Sequence, residues 1–168
     1  MNEFKSRDIQ GLIDLIDYVY NIVHQKLEII IIGSYTGKTA EVMLDTNVVS
    51  KIYCIDLWGQ GIFKIMENVF DTRFKDDKRI IKHKGTIDTF FKQYGKVQNI
   101  DLIYIDADHH YENVKHDILM SKNYFWPYFI GGHDYNPKIS QGGVIKAVNE
   151  IFKKPYKLYK NTSWVVKI

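Results

Sequence analysis

The feature that most constrains this chain is the run Leu27–Ile32, which includes four successive isoleucines and ends directly on Gly33. Six residues are too few for a free-standing helix, and the lack of polar alternation excludes a strand with one wetted face. A run of this kind predicts a central parallel strand covered on both faces. Parallel neighbours need crossover connections, so the rest of the chain must supply helices on both sides of a sheet.

The remaining pattern supplies them. Ile9, Leu12, Ile13, Ile16, Val19, Tyr20 and Val23 recur at helical spacing between Ser6 and His24, with Ser6 placed to cap the first turn. After the isoleucine run the spacing predicts a helix from about Thr36, a strand at Lys51–Ile55 and a helix at Ile62–Phe70. A short strand at Arg79–Lys82 and a helix at Ile87–Tyr94 follow. A second apolar strand, DLIYID, precedes a helix from Tyr111 to about Asn123 and a strand around Tyr128–Ile130. GGVIKAVNEIF is helical by spacing, and Tyr156–Tyr159 and Trp164–Ile168 read as short strands. The polar link Lys160–Ser163 makes those two strands a hairpin, so the last strand should run antiparallel to the others. No linker or repeat interrupts the plan. A single domain over 1–168 is expected, with an N-terminal helix in 1–25 and an α/β core in 26–168.

Composition narrows the function classes. No stretch of about eighteen apolar residues occurs, and MNEFKSRDIQGL lacks the basic-then-apolar order of a signal peptide, so a cytoplasmic protein without a membrane partner is expected. The formal charge of +3 is dispersed along the chain, which argues against nucleic acid as a partner. Cys54 is the only cysteine; it excludes an internal disulfide and reads as a buried, inert thiol within IYCI.

The segment IIIIGSYTGKTAEVML places Gly33 at a strand's end and Gly37 at the start of a helix. Glycine lets backbone approach a ligand, and a helix start presents free amides. The G-x-x-x-G spacing matches neither the dinucleotide fingerprint nor a phosphate loop, and a plain strand-to-helix turn is the alternative. Asp56 ends the second strand, twenty-three residues after Gly33, where an acidic group in such sheets can accept both ribose hydroxyls; an acidic cap on the next turn is its alternative.

Two polar clusters follow later strands: Asp106, Ala107, Asp108, His109, His110 and Tyr111 after DLIYI, then Gly131, Gly132, His133, Asp134 and Tyr135. Both fall on the rim where open α/β sheets bind ligands. Carboxylates with imidazole can hold a divalent metal, here Asp106, Asp134 and His133, and an imidazole with a pKa near 6.5 can take a hydroxyl proton, a general-base role given to His109. The alternatives are helix capping by Asp108 or His109 and loop hydrogen bonding by His133 and Asp134. His24, His83, His116, Asp88, Asp101 and the Asp76–Asp77 pair read as surface groups. Trp58, Phe63, Trp126 and Tyr128 are candidates for lining a pocket or a subunit contact.

Together IIGSYTGKTAEV, CIDLW, IDADHHYENVKHD and GGHDYNP with GGVIKAVNEIF resemble class I S-adenosylmethionine-dependent methyltransferases over almost the whole chain. The closer likeness is to the compact bacterial and viral, methyltransferase-24-like group related to metal-dependent sugar O-methyltransferases. The resemblance implies an α/β Rossmann-like three-layer sandwich, with a seven-stranded, mostly parallel sheet of order 3-2-1-4-5-7-6 and an antiparallel last strand. It implies that Gly33, Ser34, Tyr35 and Gly37 cradle the methionine part of S-adenosylmethionine, with Asp106 beside it. Asp56 and Leu57 would hold the ribose, and the stretch from His83 through Gly85 to Thr86 would lie along the adenine. It further implies His109 as base and Asp106, His133 and Asp134 as ligands of magnesium or another divalent metal. Two positions depart from the pattern. His133 replaces a carboxylate, although magnesium prefers oxygen, and Ile31 stands where the family commonly has an acidic residue.

The expected activity is therefore methylation of a hydroxyl on a small-molecule acceptor, such as a sugar. Without the insertions that build an acceptor lid, a second copy of the chain would close the site, or the acceptor would be large. A methyltransferase-fold accessory protein without catalysis is the alternative that Ile31 and the missing lid raise. A nicotinamide-dependent oxidoreductase is disfavoured by the glycine spacing, and no N/D-P-P-Y/F motif supports nucleic-acid amino methylation.

Overall fold

The computed structural model describes the backbone of residues 3–168 and the side chains of residues 9–168. Seven strands form one sheet: β1 (Leu27–Ile32), β2 (Val49–Asp56), β3 (Ile80–Lys84), β4 (Leu102–Ile105), β5 (Phe129–Gly132), β6 (Lys157–Leu158) and β7 (Trp164–Lys167). Their spatial order is β3-β2-β1-β4-β5-β7-β6, with β1 to β5 parallel and β7 antiparallel to both β5 and β6. This is the Rossmann-like arrangement the resemblance implied.

The isoleucine run explains the three layers. Ile29, Ile30 and Ile31 are fully buried and Ile32 is nearly so. Ile29 and Ile31 enter one core with Leu15, Ile16, Met43 and Phe70; Ile30 and Ile32 enter the other with Phe90, Ile118 and Val148. Strand alternation thus divides one apolar run between two cores. Helices α1 (Glu3–Val23), α2 (Lys38–Asp45) and α3 (Ile62–Arg73) cover the first face. The second is covered by α4 (Ile87–Tyr94), α5 (Tyr111–Met120) and α6 (Gly143–Phe152). Each isoleucine contributes about 1.5–3 kcal/mol of burial.

In α1, Leu12, Leu15, Ile16 and Val19 are buried while Asp14 and Asp17 face solvent, the expected stripe. The helix begins at Glu3, so Ser6 lies inside it; the side chain of Ser6 falls outside those described. Helix α2 begins at Lys38 rather than Thr36, because Gly37 takes a positive φ of 81° and Thr36 stays in the turn, its carbonyl accepting from Arg73. Helix α5 stops at Met120 and passes into a π-helical turn, Ser121–Phe125, that ends on Trp126 in the left-handed region.

Two surface assignments are corrected. His83 is buried, its Nε2 2.9 Å from Thr89 Oγ1, because the β3 edge is covered there by Phe90 and Tyr94 of α4. Asp101 is also buried; it accepts a 2.8 Å hydrogen bond from the Glu28 amide and so ties the start of β4 to β1. Cys54 is fully buried, and burial pushes its thiol up to about 12. Among the described residues no helix is long and apolar enough to cross a membrane.

Candidate active site

A cavity of about 1030 Å³ opens at the carboxyl ends of β1, β2 and β4 and against the first turns of α4 and α5. Gly33, Ser34, Tyr35, Asp56, Leu57, Gly85, Thr86, Asp106 and His109 all line it. Gly37 does not line it; it starts α2 from behind the loop, against Phe70 and Phe74.

At Gly33 the chain leaving β1 packs directly on the backbone that leaves β4. Its φ is +91°, and a Cβ there would stand 2.3 Å from the carbonyl oxygen of Asp106. The loop is then held by backbone: the Gly33 amide donates to Ile55 O at 2.9 Å. The Ser34 hydroxyl is buried and points to the same carbonyl, at 3.4 Å, so Ser34 presents chiefly backbone to the cavity.

Asp56 fastens this loop to the next. One carboxylate oxygen accepts from the Tyr35 amide at 2.8 Å and the other from the Trp58 amide at 3.0 Å, while Trp58 Nε1 donates to Tyr35 O at 2.7 Å. Each oxygen keeps a lone pair for an incoming hydroxyl. Trp58 and Phe63 both line the cavity, Trp58 from a buried position against Phe70 and Phe63 from an exposed one. Trp126 and Tyr128 are exposed and outside the cavity.

The two rim clusters converge. His109 Nε2 lies 2.9 Å from Asp134 Oδ2 and 3.9 Å from Asp106 Oδ1, and His133 Nδ1 lies 3.0 Å from Asp134 Oδ1. Asp134 therefore bridges two imidazoles, from a left-handed backbone conformation with φ 57° that aspartate tolerates. Burial pushes the Asp106 carboxyl up, against the pull of His109; Asp134 is held well below the usual carboxylate range by His109 first and His133 second. Between these carboxylates the His109 imidazole rises to about 10, so it is a cation at neutral pH. The clamp thus moves it up from the ordinary value near 6.5. Asp106 also lines a second cavity of about 180 Å³, together with Lys38, Tyr104 and His133.

The donor set can hold a divalent ion. One ligand atom each from Asp106, His133 and Asp134 lies within 4.8 Å of the others. Two oxygens and one nitrogen suit a first-row ion such as manganese better than magnesium.

Several groups build this wall in roles that sequence reasoning did not give them. Asp108 caps no helix with its side chain but organises the turn before α5, accepting from the His110 amide at 2.7 Å and from Asn113 at 2.9 Å. Gly143, at the start of α6, passes beneath the His109 loop, where a Cβ would be 2.3 Å from His109 O. Thr86 caps α4 in a reciprocal box with Thr89, a pairing that T-x-x-T could have signalled. Asp117 of α5 also lines the large cavity.

Residues 30–145 match a family model described as Methyltransferase domain. No curated protein sequence matches the chain. Among solved structures, an O-methyltransferase candidate from Klebsiella pneumoniae superposes with a TM-score of 0.63 at 13% identity, covering 98% of this chain and 89% of that one. The spermidine synthase from Thermotoga maritima gives 0.55 at 16% identity over 84% of this chain, and a spermidine synthase in complex with the transition-state analogue AdoDATO gives 0.59 at 16% over 98%. The chain spans 51% and 58% of those two synthases. At such identities the likeness is one of fold.

Proposed function

Because the chain belongs to the Methyltransferase domain family, we propose that it transfers the methyl group of S-adenosylmethionine to a hydroxyl of a small acceptor such as a sugar. One observation carries the choice of a hydroxyl: His109, Asp106, His133 and Asp134 meet at the edge of the glycine-loop cavity. A base and a cation-binding set are what an unactivated alcohol requires, whereas the sulfonium methyl is already activated.

In this reading the backbone of Gly33, Ser34 and Tyr35 cradles the methionine part, and Gly37 sets the start of α2 behind them. Asp106 lies beside the cradle. Asp56 accepts the ribose hydroxyls on its remaining lone pairs, with Leu57 against the sugar, and Gly85 and Thr86 lie along the adenine. The acceptor oxygen attacks the methyl carbon, the carbon–sulfur bond breaks, its electron pair returns to sulfur, and the hydroxyl proton passes to the His109 imidazole.

His109 can accept that proton only when its clamp is loosened, since two carboxylates hold it protonated. A divalent cation on Asp106, Asp134 and His133 would act as a Lewis acid that lowers the pKa of the bound hydroxyl. Asp106 and Asp134 would be the residues shared between such an ion and the His109 imidazole. Ile31 is fully buried in the core between β2 and β4, so it faces no ligand and the cofactor's amino group must be met from the rim.

Calorimetric titration with S-adenosylmethionine and S-adenosylhomocysteine, with and without manganese or magnesium, tests this. Binding of both compounds, followed by turnover that needs the metal, is expected. Absence of any heat with the folded protein would reject the reading in favour of an accessory protein.

A further inference from the structure

Opposite the glycine loop, the wall of the large cavity is built where the first turn of α4 meets α5. Thr86 and Ile87 line it from one side, and Asn113, His116 and Asp117 from the other. His116 Nε2 lies 2.9 Å from Asp88 Oδ2 and ties the two helices together.

Asp117 differs from the other carboxylates of this wall. Asp88 is paired with His116, Asp108 is taken up by His110 and Asn113, and Asp56 by two backbone amides. The Asp117 carboxyl accepts no hydrogen bond from any described residue. It is partly buried, on a helix whose neighbouring Val114, Ile118 and Ser121 are buried. An anion without a partner is costly in such a place, and a carboxyl there escapes the cost by keeping its proton.

A neutral carboxyl presents one donor and one acceptor side by side. The Watson–Crick edge of adenine presents the complement, the N1 acceptor beside the N6 amino donor. We propose that Asp117 reads the adenine of the bound adenosyl group, its O–H donating to N1 and its carbonyl oxygen accepting from the N6 amino group. The proposal rests on the methyltransferase reading above. It makes Asp117 a specificity-determining residue for the adenosyl moiety, on the same wall as the first turn of α4.

The protonation that this requires agrees with the surroundings. Burial pushes Asp117 up to about 7; Asp88 and Asp108 act in the same direction and His116 opposes them. From β3, His83 packs against Phe90 and Tyr94 of α4 and is engaged by Thr89. Because the bound form needs the proton, affinity should fall as pH rises through this value.

The experiment is calorimetry of S-adenosylhomocysteine binding from pH 6.5 to 8 with the unsubstituted protein, Asp117→Asn and Asp117→Leu. For one proton titrating near 7, the unsubstituted protein should bind about eightfold more weakly at pH 8 than at pH 6.5. Asp117→Asn presents the same donor and acceptor without a titrating proton. It should keep the pH 6.5 affinity within about twofold and lose the pH step. Asp117→Leu should bind about tenfold more weakly at pH 6.5 and without a step, as loss of the hydrogen-bonding edge predicts. A pH step that survives in Asp117→Asn, or a leucine variant that binds like the unsubstituted protein, would overturn the proposal and leave the methyltransferase reading intact. Absence of binding by the unsubstituted protein at every pH would overturn both.

Discussion

The two halves of the rim are held by different forces. At the ends of β1 and β2 the glycine loop is fixed by backbone: Gly33 donates to Ile55 O, and Asp56 spends both oxygens on the Tyr35 and Trp58 amides. At the ends of β4 and β5 the positions are set by charge, with Asp134 between His109 and His133 and Asp106 at one side. The first arrangement should barely respond to pH or to a cation. The second is a set of coupled titrating groups whose charge state depends on what it binds. A transferase of this design would keep the glycine-loop end of its cofactor cradle constant and put its pH sensitivity at Asp117 and at the charged rim.

The largest effect should come from the charged half. His109→Ala is expected to lower turnover by about 10²–10⁴-fold, the usual worth of a general base, while calorimetry shows S-adenosylhomocysteine affinity unchanged. Loss of binding instead would mean that the two halves are not separable and would reject the role given to His109.

Next is the clamp itself. In metal-free protein, Asp134→Asn should bring His109 down from about 10 toward its ordinary range, read by NMR titration of the imidazole. The sign follows from the direction of the shift. A histidine raised on folding contributes stability that is fully present below about 6.5, its unfolded value, and lost as pH rises through the folded one. The unsubstituted protein should therefore lose thermal stability between about pH 7 and pH 10, and the Asn variant should show a flatter profile over that window. Equal profiles would show that the clamp is not formed in solution.

In the other half, Gly33→Ala should act through sterics alone. A methyl group 2.3 Å from Asp106 O, on a backbone at φ +91°, forces the β1 and β4 loops apart at a cost of about 1–3 kcal/mol. Weaker S-adenosylhomocysteine binding is expected at every pH, with the melting temperature lowered by several degrees. A binding defect confined to high or low pH would break the contrast between the halves.

The same division explains what the sequence revealed. The sheet was legible because its information is local: LEIIII declares a two-sided strand, and DLIYI and the closing hairpin follow the same rules. Gly33 and Asp56 were legible as positions at strand ends. The charge of His109 was not, because it depends on Asp134, twenty-five residues later in the chain, reaching back across the sheet edge. His83 and Asp101 were misplaced for a related reason: a polar residue near a strand end is buried or exposed according to what packs over it, here Phe90 for one and the Glu28 amide for the other. Asp117 closes the segment IDADHHYENVKHD, but nothing in that segment gave it a role; a partly buried carboxyl on a helix becomes informative only once its cavity is known.

The smallest expected signal tests the rigidity of the backbone-held half. Cys54 is fully buried on β2, with its neighbour Ile55 carrying the carbonyl that anchors both Gly33 and Ser34. With the thiol raised to about 12, almost no thiolate exists at pH 8, and alkylation must wait for the strand to open. Iodoacetamide at pH 8 should therefore leave the native protein unmodified for hours and label it promptly in denaturant, with mass spectrometry as the readout. S-adenosylhomocysteine should slow the native reaction further, since a ligand on the Gly33 loop stabilises the closed strand by mass action. Fast labelling of the native protein would show that the β1–β2 edge opens readily, and the rim would then have two labile halves instead of one.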